Sequence, residues 1–255
     1  LGIVNGAVWS DLDADGAGEL VLACEWGPVR VFRFRAGAMS EATQAFGLAS
    51  LTGWWRGVTS GDLNGDGRPD LIVSNWGWNS PYRASPERPL VFAYGELAQP
   101  GVMEVIETEY VGASLAPRRQ FRAMANSMPF LLERFPSHRA YSEATLEEML
   151  GDRVVLSRRV SAATLASTVF LSTDGAGYRA VELPPEAQHA PAFGVSVADF
   201  DGDGHEDVLL AQNFYPLEPV ISRIDAGLAL MLRGDGKGGL TPVPATESGI
   251  RVDGD

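Results

Sequence analysis

Three stretches of the chain crowd oxygen-bearing side chains at one spacing: DLDADGAGELVL from Asp11 to Leu22, DLNGDGRPDLIV from Asp62 to Val73, and DFDGDGHEDVLL from Asp199 to Leu210. Positions 1, 3, 5 and 9 carry the oxygens, as Asp11, Asp13, Asp15 and Glu19, then Asp62, Asn64, Asp66 and Asp70, then Asp199, Asp201, Asp203 and Asp207. Carboxylates this close repel one another unless a cation sits among them. Ca2+ accepts roughly six to eight hard oxygen ligands at about 2.3–2.6 Å, so it suits the set. Position 6 is glycine in every copy, which permits a turn that folds position 7 back to offer its backbone carbonyl, from Ala17, Arg68 or His205. A backbone ligand leaves that side chain free to vary, and His205 is then not a ligand through its imidazole.

The rival ions and loops fit less well. An EF-hand needs a bidentate Glu at position 12, where this chain has Leu22, Val73 and Leu210. The ninth residue is therefore expected to close each site. Mg2+ demands tighter octahedral geometry, and zinc would want Cys and His ligands that the motif lacks. Plain Asp–Gly turns without an ion remain the alternative, against which three copies at one spacing weigh. About three structural Ca2+ are expected, and they would bring the formal net charge from -13 to -7. Asn64 leaves the second loop with the fewest carboxylates, so it is expected to be the weakest site.

The elements that must hold these loops read as strands. Each loop is entered by small alternating residues (GAVWS, GVTSG, FGVSVA) and left by an apolar run of strand length, LVLAC, LIVSN or VLLAQ. Downstream, VFLSTDGAGYRAV (169–181) and LMLRGDGKGGLTPV (230–243) place an Asp-Gly turn between alternating strands, and VRVFRFRAGAMSEA (29–42) is a looser copy. ATQAFGL (42–48) and ATESGI (245–250) close two of the units alike. Repeats on this scale indicate a propeller or solenoid. We expect one all-β propeller domain or segment over 1–255, with four blades at about 1–50, 51–115, 116–188 and 189–250. The third lacks an acidic loop and carries a helical insertion at about 118–152, where Ser142 can N-cap, Leu146, Met149 and Leu150 share a face, and Gly151 can end the helix. The terminal RVDGD looks like the lead-in to another loop, so a further unit is expected beyond it.

FGVSVADFDGDG, Phe193 to Gly204, resembles an FG-GAP repeat, the calcium-loop blade of integrin α-subunit propellers and bacterial VCBS-type proteins. The wider arrangement of DxDxDG loop, Asp-Gly hairpin and ATxxxGL tail is similar to the family of cartilage acidic protein and the bacterial ASPIC/UnbV proteins. The resemblance implies a β-propeller, usually seven-bladed, outside the cytoplasm (secreted, periplasmic or cell-surface), with calcium stiffening its loops and a surface used for binding. The four blades would then be part of a larger ring.

Composition limits the function classes. The 33 acidic against 20 basic residues argue against nucleic acid or an anionic membrane as partner. No apolar run is long enough for a transmembrane segment. The single Cys24, in LVLACEW, reads as a buried strand thiol. No HExxH, GxSxG or Walker loop is present, and GDGKGG (234–239) reads as a hairpin turn rather than a phosphate cradle. The expected function is a non-enzymatic protein- or glycan-interaction or scaffold module. A calcium-dependent polysaccharide lyase or glycoside hydrolase on a propeller is the alternative. Two regions are candidates for the partner. Between Arg118 and Arg159 lie 8 of the 20 basic residues against 5 acids. Trp54, Trp55, Trp76 and Trp78 flank the second loop, and the loop carrying Trp76 and Trp78 could present them to a ligand.

Overall fold

The computed structural model describes residues 2–175, 177–215 and 223–252. The chain begins with β1 (Val4–Ser10), β2 (Glu19–Pro28), β3 (Arg30–Arg35), β4 (Ala38–Glu41), β5 (Thr52–Trp54), β6 (Val58–Gly61) and β7 (Asp70–Val73). There follow β8 (Leu90–Gly95), β9 (Glu104–Val111), β10 (Ser114–Pro117), α1 (Phe121–Ser127), α2 (Phe130–Arg134), α3 (His138–Ser142), α4 (Leu146–Leu150) and β11 (Arg158–Ala162). The last part holds β12 (Thr168–Ser172), β13 (Tyr178–Glu182), β14 (Ala192–Ala198), β15 (Asp207–Gln212), β16 (Leu230–Gly234), β17 (Leu240–Val243) and α5 (Ala245–Ser248). Among the described residues the architecture is all-β and propeller-like, built of separate antiparallel sheets. It divides into two compact units, Leu1–Arg83 with Thr164–Asp255, and Ala84–Ala163.

The first unit holds three blade-like sheets, ordered β1-β2-β3-β4 (with β5 also pairing β2), β6-β7-β12-β13 and β14-β15-β16-β17. β6, the first strand of the middle sheet, packs between β1 and β14, the first strands of the other two. The middle sheet explains why LIVSN carries no alternation: Leu71 and Val73 face one core, with Val21, Val31, Phe46 and Trp55, while Ile72 faces another, with Val208, Leu210 and Leu232. Its neighbour β12 does the same, with Phe170 on the first core and Val169 and Leu171 on the second. A strand buried on both faces reads as a continuous apolar run, because successive side chains point opposite ways.

This grouping corrects the expected blade boundaries. The units placed at 51–115 and 116–188 do not coincide with sheets. Residues 58–73 and 168–182 form one blade, and the 137-residue gap between Asp62 and Asp199 holds that blade plus an inserted unit instead of two blades. β12 pairs β7 in register, Thr168 with Val73 and Phe170 with Leu71, although about 95 residues separate them. Sequence adjacency was the assumption that failed. The first sheet spans Val4–Glu41 with β5 added from Thr52–Trp54, and the last spans Ala192–Val243.

The inserted unit has its own sheet, β10-β9-β8-β11, and its own core, in which Ile106, Leu97 and Ala93 meet Met128, Leu131, Leu146 and Met149. The helical segment falls where expected, with one correction. Thr145, and not Ser142, caps α4. Its hydroxyl accepts from the Glu148 N–H at 3.1 Å while the Glu148 carboxylate accepts from the Thr145 N–H at 2.8 Å, a reciprocal capping box. Leu146, Met149 and Leu150 are fully buried, and Gly151 ends the helix at a φ of 55°. The RVDGD lead-in extends over 253–255, outside the described residues.

Candidate metal centres

Each acidic loop joins the first strand of a blade to the second. The pairs Ser10↔Glu19, Gly61↔Asp70 and Ala198↔Asp207 close the ladders, so position 9 is the first residue of the returning strand in all three. The first aspartate organises the turn. Asp11 accepts from the N–H groups of Asp15 and Gly16, Asp62 from those of Gly65, Asp66 and Gly67, and Asp199 from those of Gly202, Asp203 and Gly204, all at 2.7–3.1 Å. Position 5 then accepts from the N–H of position 7, through Asp15, Asp66 and Asp203, at 2.8–2.9 Å. The glycine at position 6 has φ of +88°, +81° and +90° at Gly16, Gly67 and Gly204, and nothing lies within 4 Å of a Cβ built there. The loop needs glycine for its backbone angle and not for space.

Carboxylate oxygens of positions 1, 3 and 5 converge. One oxygen from each of Asp11, Asp13 and Asp15 lies within 4.8 Å of the others, and the same holds for Asp199, Asp201 and Asp203. Two oxygens on one Ca2+ can be no more than about 5 Å apart, given bond lengths of about 2.3–2.6 Å, so both triplets fit a single ion. Asp13 adds a second sign. Its Oδ1 is buried without a hydrogen-bond partner, which is costly for a carboxylate oxygen unless a cation serves it. In the second loop Asn64 replaces the middle carboxylate, and the side chains are satisfied among themselves. The Ser172 hydroxyl donates to Asp66 at 2.7 Å and the Asn64 carboxamide to Asp66 and Asp70 at 3.3 Å. Burial works to raise the Asp66 pKa, but the bonds from Ser172, the Arg68 N–H and Asn64 outweigh it and hold the carboxyl below its ordinary range. At Asp15 the Ala17 N–H lowers the pKa.

The ninth residue, expected to close each site, also serves the backbone. Glu19, Asp70 and Asp207 are fully buried, and none joins a converging triplet. Each instead accepts from the N–H of loop position 2, at Leu12, Leu63 and Phe200, at 2.9–3.0 Å. The second oxygen of Asp70 accepts from Ser172 N–H at 2.7 Å, and that of Asp207 from Gly234 N–H at 2.9 Å, both on the third strand of the blade. The acid thus ties loop, second strand and third strand together. Burial pushes the Asp70 pKa up against these donors.

Sequence reasoning missed the arginines. Arg33 pairs with Asp13 and Arg35 with Asp15 on the first loop, and Arg233 with Asp201 at 2.7 Å on the third. Arg33 stands opposite Glu19, and the register carries Arg233 to the same place opposite Asp207; in the middle blade that place falls to Leu171. Where position 3 is an acid the third strand supplies arginine, and where it is Asn64 it supplies leucine. The alternation in RVFRFR placed these side chains on one face, but only the register points them at the loop. Arg68 donates to the Thr173 and Gly175 carbonyls, pinning the second loop to its hairpin.

The GDGKGG turn is a turn. Asp235 accepts from the N–H groups of Lys237 and Gly239 at 2.8 Å, and these bonds lower its pKa. Trp54, Trp55 and Trp76 are buried, and Trp78 is exposed. Trp54 and Trp76 stack at 4.2 Å between ring centroids, with the buried Arg56 guanidinium over both faces and paired with Glu25. The positive surplus at 118–159 is local to the sequence. Arg118 pairs with Glu109 at 2.7 Å, and Glu107 lies 3.8 Å from Arg119, so acids from β9 offset it.

The sheets and loops together define a repeat protein with acidic strand-to-strand loops. Residues 11–73, from the first loop to the end of β7, match the model of the FG-GAP-like repeat family. No curated protein matches the chain.

Proposed function

We propose that the chain is a calcium-binding interaction module that works outside the cytosol, with its ions structural and its role non-enzymatic. The observation that carries the reading is the convergence of the position 1, 3 and 5 carboxylates within 4.8 Å in two loops, one of them with an orphaned buried oxygen on Asp13. The FG-GAP-like match over residues 11–73 supports it. Asp11, Asp13 and Asp15 would hold one ion, Asp199, Asp201 and Asp203 another, and Asp62, Asn64 and Asp66 a third, with the carbonyls of Ala17, His205 and Arg68 as further ligands. Neutralised repulsion would convert binding energy into folding energy. Affinities of roughly 10⁻⁴ to 10⁻³ M, typical of extracellular modules, would keep such loops filled only where calcium is abundant.

The arginines refine the ranking of the sites. The first loop has two against its four carboxylates, the second one against three, and the third one against four. The third loop, most negative and with its triplet exposed, is the strongest site in this reading, and the self-satisfied second loop the weakest.

Thermal unfolding in calcium and in EDTA tests the proposal. At a tenfold excess over Kd each filled site adds about 1.4 kcal/mol, which for a chain of this size is about 2–4 °C per kcal/mol. Asp203→Ala should remove more of the calcium-induced shift than Asp66→Ala. Superimposable curves in calcium and EDTA would sink the reading. A depolymerisation assay on polysaccharides tests the non-enzymatic part, since calcium-dependent chain cleavage would return the lyase or hydrolase class to first place.

A further inference from the structure

A cavity of about 470 Å3 in the loop-bearing unit is lined by Trp78, Asn79, Pro185, Gln188, His189 and Ala226. Ligand pockets for small molecules run from roughly 300 to 1,000 Å3, so the size admits one or two sugar rings. Among the described residues the lining holds no carboxylate, ammonium or guanidinium group. Trp78 is 46% exposed, whereas Trp54, Trp55 and Trp76 on the same segments are 8%, 0% and 4% exposed.

The exposed indole stands on a rigid base. The backbone N–H of Trp78 donates to the Gln188 carbonyl at 2.8 Å and that of Asn79 to the same oxygen at 3.4 Å. Gly77, at a φ of +82°, passes so close that a Cβ would sit 2.5 Å from that oxygen. Gln188 is itself 1% exposed and fully committed. Its Oε1 accepts from Ser167 N–H at 2.8 Å, and its Nε2 donates to the Ser167 and Leu183 carbonyls at 3.0 Å. Asn79 and His189, by contrast, are exposed, and their side chains make no hydrogen bond among the described residues. Beside an exposed indole on a tethered backbone the cleft therefore presents a carboxamide and an imidazole, each able to donate and to accept.

We propose that this cleft binds a neutral saccharide, with the C–H face of a pyranose ring on the Trp78 indole and ring hydroxyls bonded to Asn79 and His189. An anionic ligand would want a guanidinium in the lining and a cationic one a carboxylate. A purely apolar ligand would strand the two polar side chains. A sugar uses all three features, since it has an apolar face and hydroxyls that both donate and accept. The assignment deepens the interaction-module reading and rests on it, but it does not depend on the ions.

The test titrates the intact chain with neutral hexasaccharides of glucose, mannose, galactose and xylose, and with an oligouronate of the same length, read by tryptophan fluorescence and calorimetry. At least one should bind. Trp78→Ala should weaken that binding about tenfold or more, as truncation of an anchoring aromatic does. Asn79→Ala and His189→Ala should each weaken it roughly two- to tenfold, the value of a single hydrogen bond. All three positions are exposed, so melting temperatures should stay unchanged. Absence of binding to every neutral oligomer at about 10 mM, tenfold above a millimolar Kd, overturns the proposal. Binding that Trp78→Ala leaves intact overturns it too, as does binding of oligouronates alone. Repetition in EDTA separates the two readings. Saccharide binding without any calcium-induced thermal shift defeats the ion reading alone, and a thermal shift without saccharide binding defeats this one alone.

Discussion

Single residues decide how well each acidic loop is made. Position 4 takes a left-handed backbone in every copy, with φ of 56° at Ala14, 73° at Gly65 and 79° at Gly202. Two loops meet that demand with glycine, and the first forces it on an alanine, whose Cβ crowds the carbonyl oxygen in this region at a cost of roughly 1–2 kcal/mol. Ala14→Gly should therefore stabilise the chain by about 1 kcal/mol, part of the relief being lost to the greater freedom of glycine when unfolded. The gain should appear in chemical denaturation in EDTA as well as in calcium, because it concerns the backbone; a loss of stability would show that Ala14 is not strained. The DxDxDG spacing made the converging carboxylates legible, since positions 1, 3 and 5 bring their oxygens together in the first and third loops. The arginines that meet them were not legible, because an arginine on a third strand finds its loop only through a register that no local pattern encodes.

At the scale of the element, the ninth acid anchors the blade through backbone amides. A strand-to-strand loop of this kind leaves amides of position 2 and of the third strand without ladder partners, and a buried N–H without an acceptor is expensive. Asp207 serves Phe200 N–H at 3.0 Å and Gly234 N–H at 2.9 Å, and Asp70 serves Leu63 and Ser172 in the same way. Asp207→Ala would strand both donors, at about 1–3 kcal/mol for each buried group, so a loss of about 2–6 kcal/mol is expected. Equal losses in EDTA and in saturating calcium would mark Asp207 as an anchor. A loss confined to calcium would make it a ligand, as its place in the motif first suggests. The sequence pattern marks position 9 as acidic but does not say which partner the acid serves, since a carboxylate at the foot of a strand can face either an ion or amides.

The whole molecule is a repeat architecture interrupted within a blade. Strands with a local partner were readable from alternation and Asp-Gly turns, as in β12 with β13 and β16 with β17. The middle blade was not, because 84–163 separates its second strand from its third and contributes a complete sheet and core of its own. The chain returns close to its point of departure within the first unit. The Gly77 N–H donates to the Leu165 carbonyl at 2.8 Å, and the Asn75 side chain donates to the Thr164 carbonyl at 3.1 Å. A short linker can bridge such ends at small entropic cost, since closure cost grows only slowly with loop length. Replacing 84–163 with a few glycine and serine residues should leave β7 paired with β12. Because all three acidic loops lie in the retained unit, the calcium-induced rise in melting temperature should match that of the full chain. A shortened protein that folds yet no longer responds to calcium would place the ion's effect in the inserted unit, and one that fails to fold would show that the blades cannot hold their register without it.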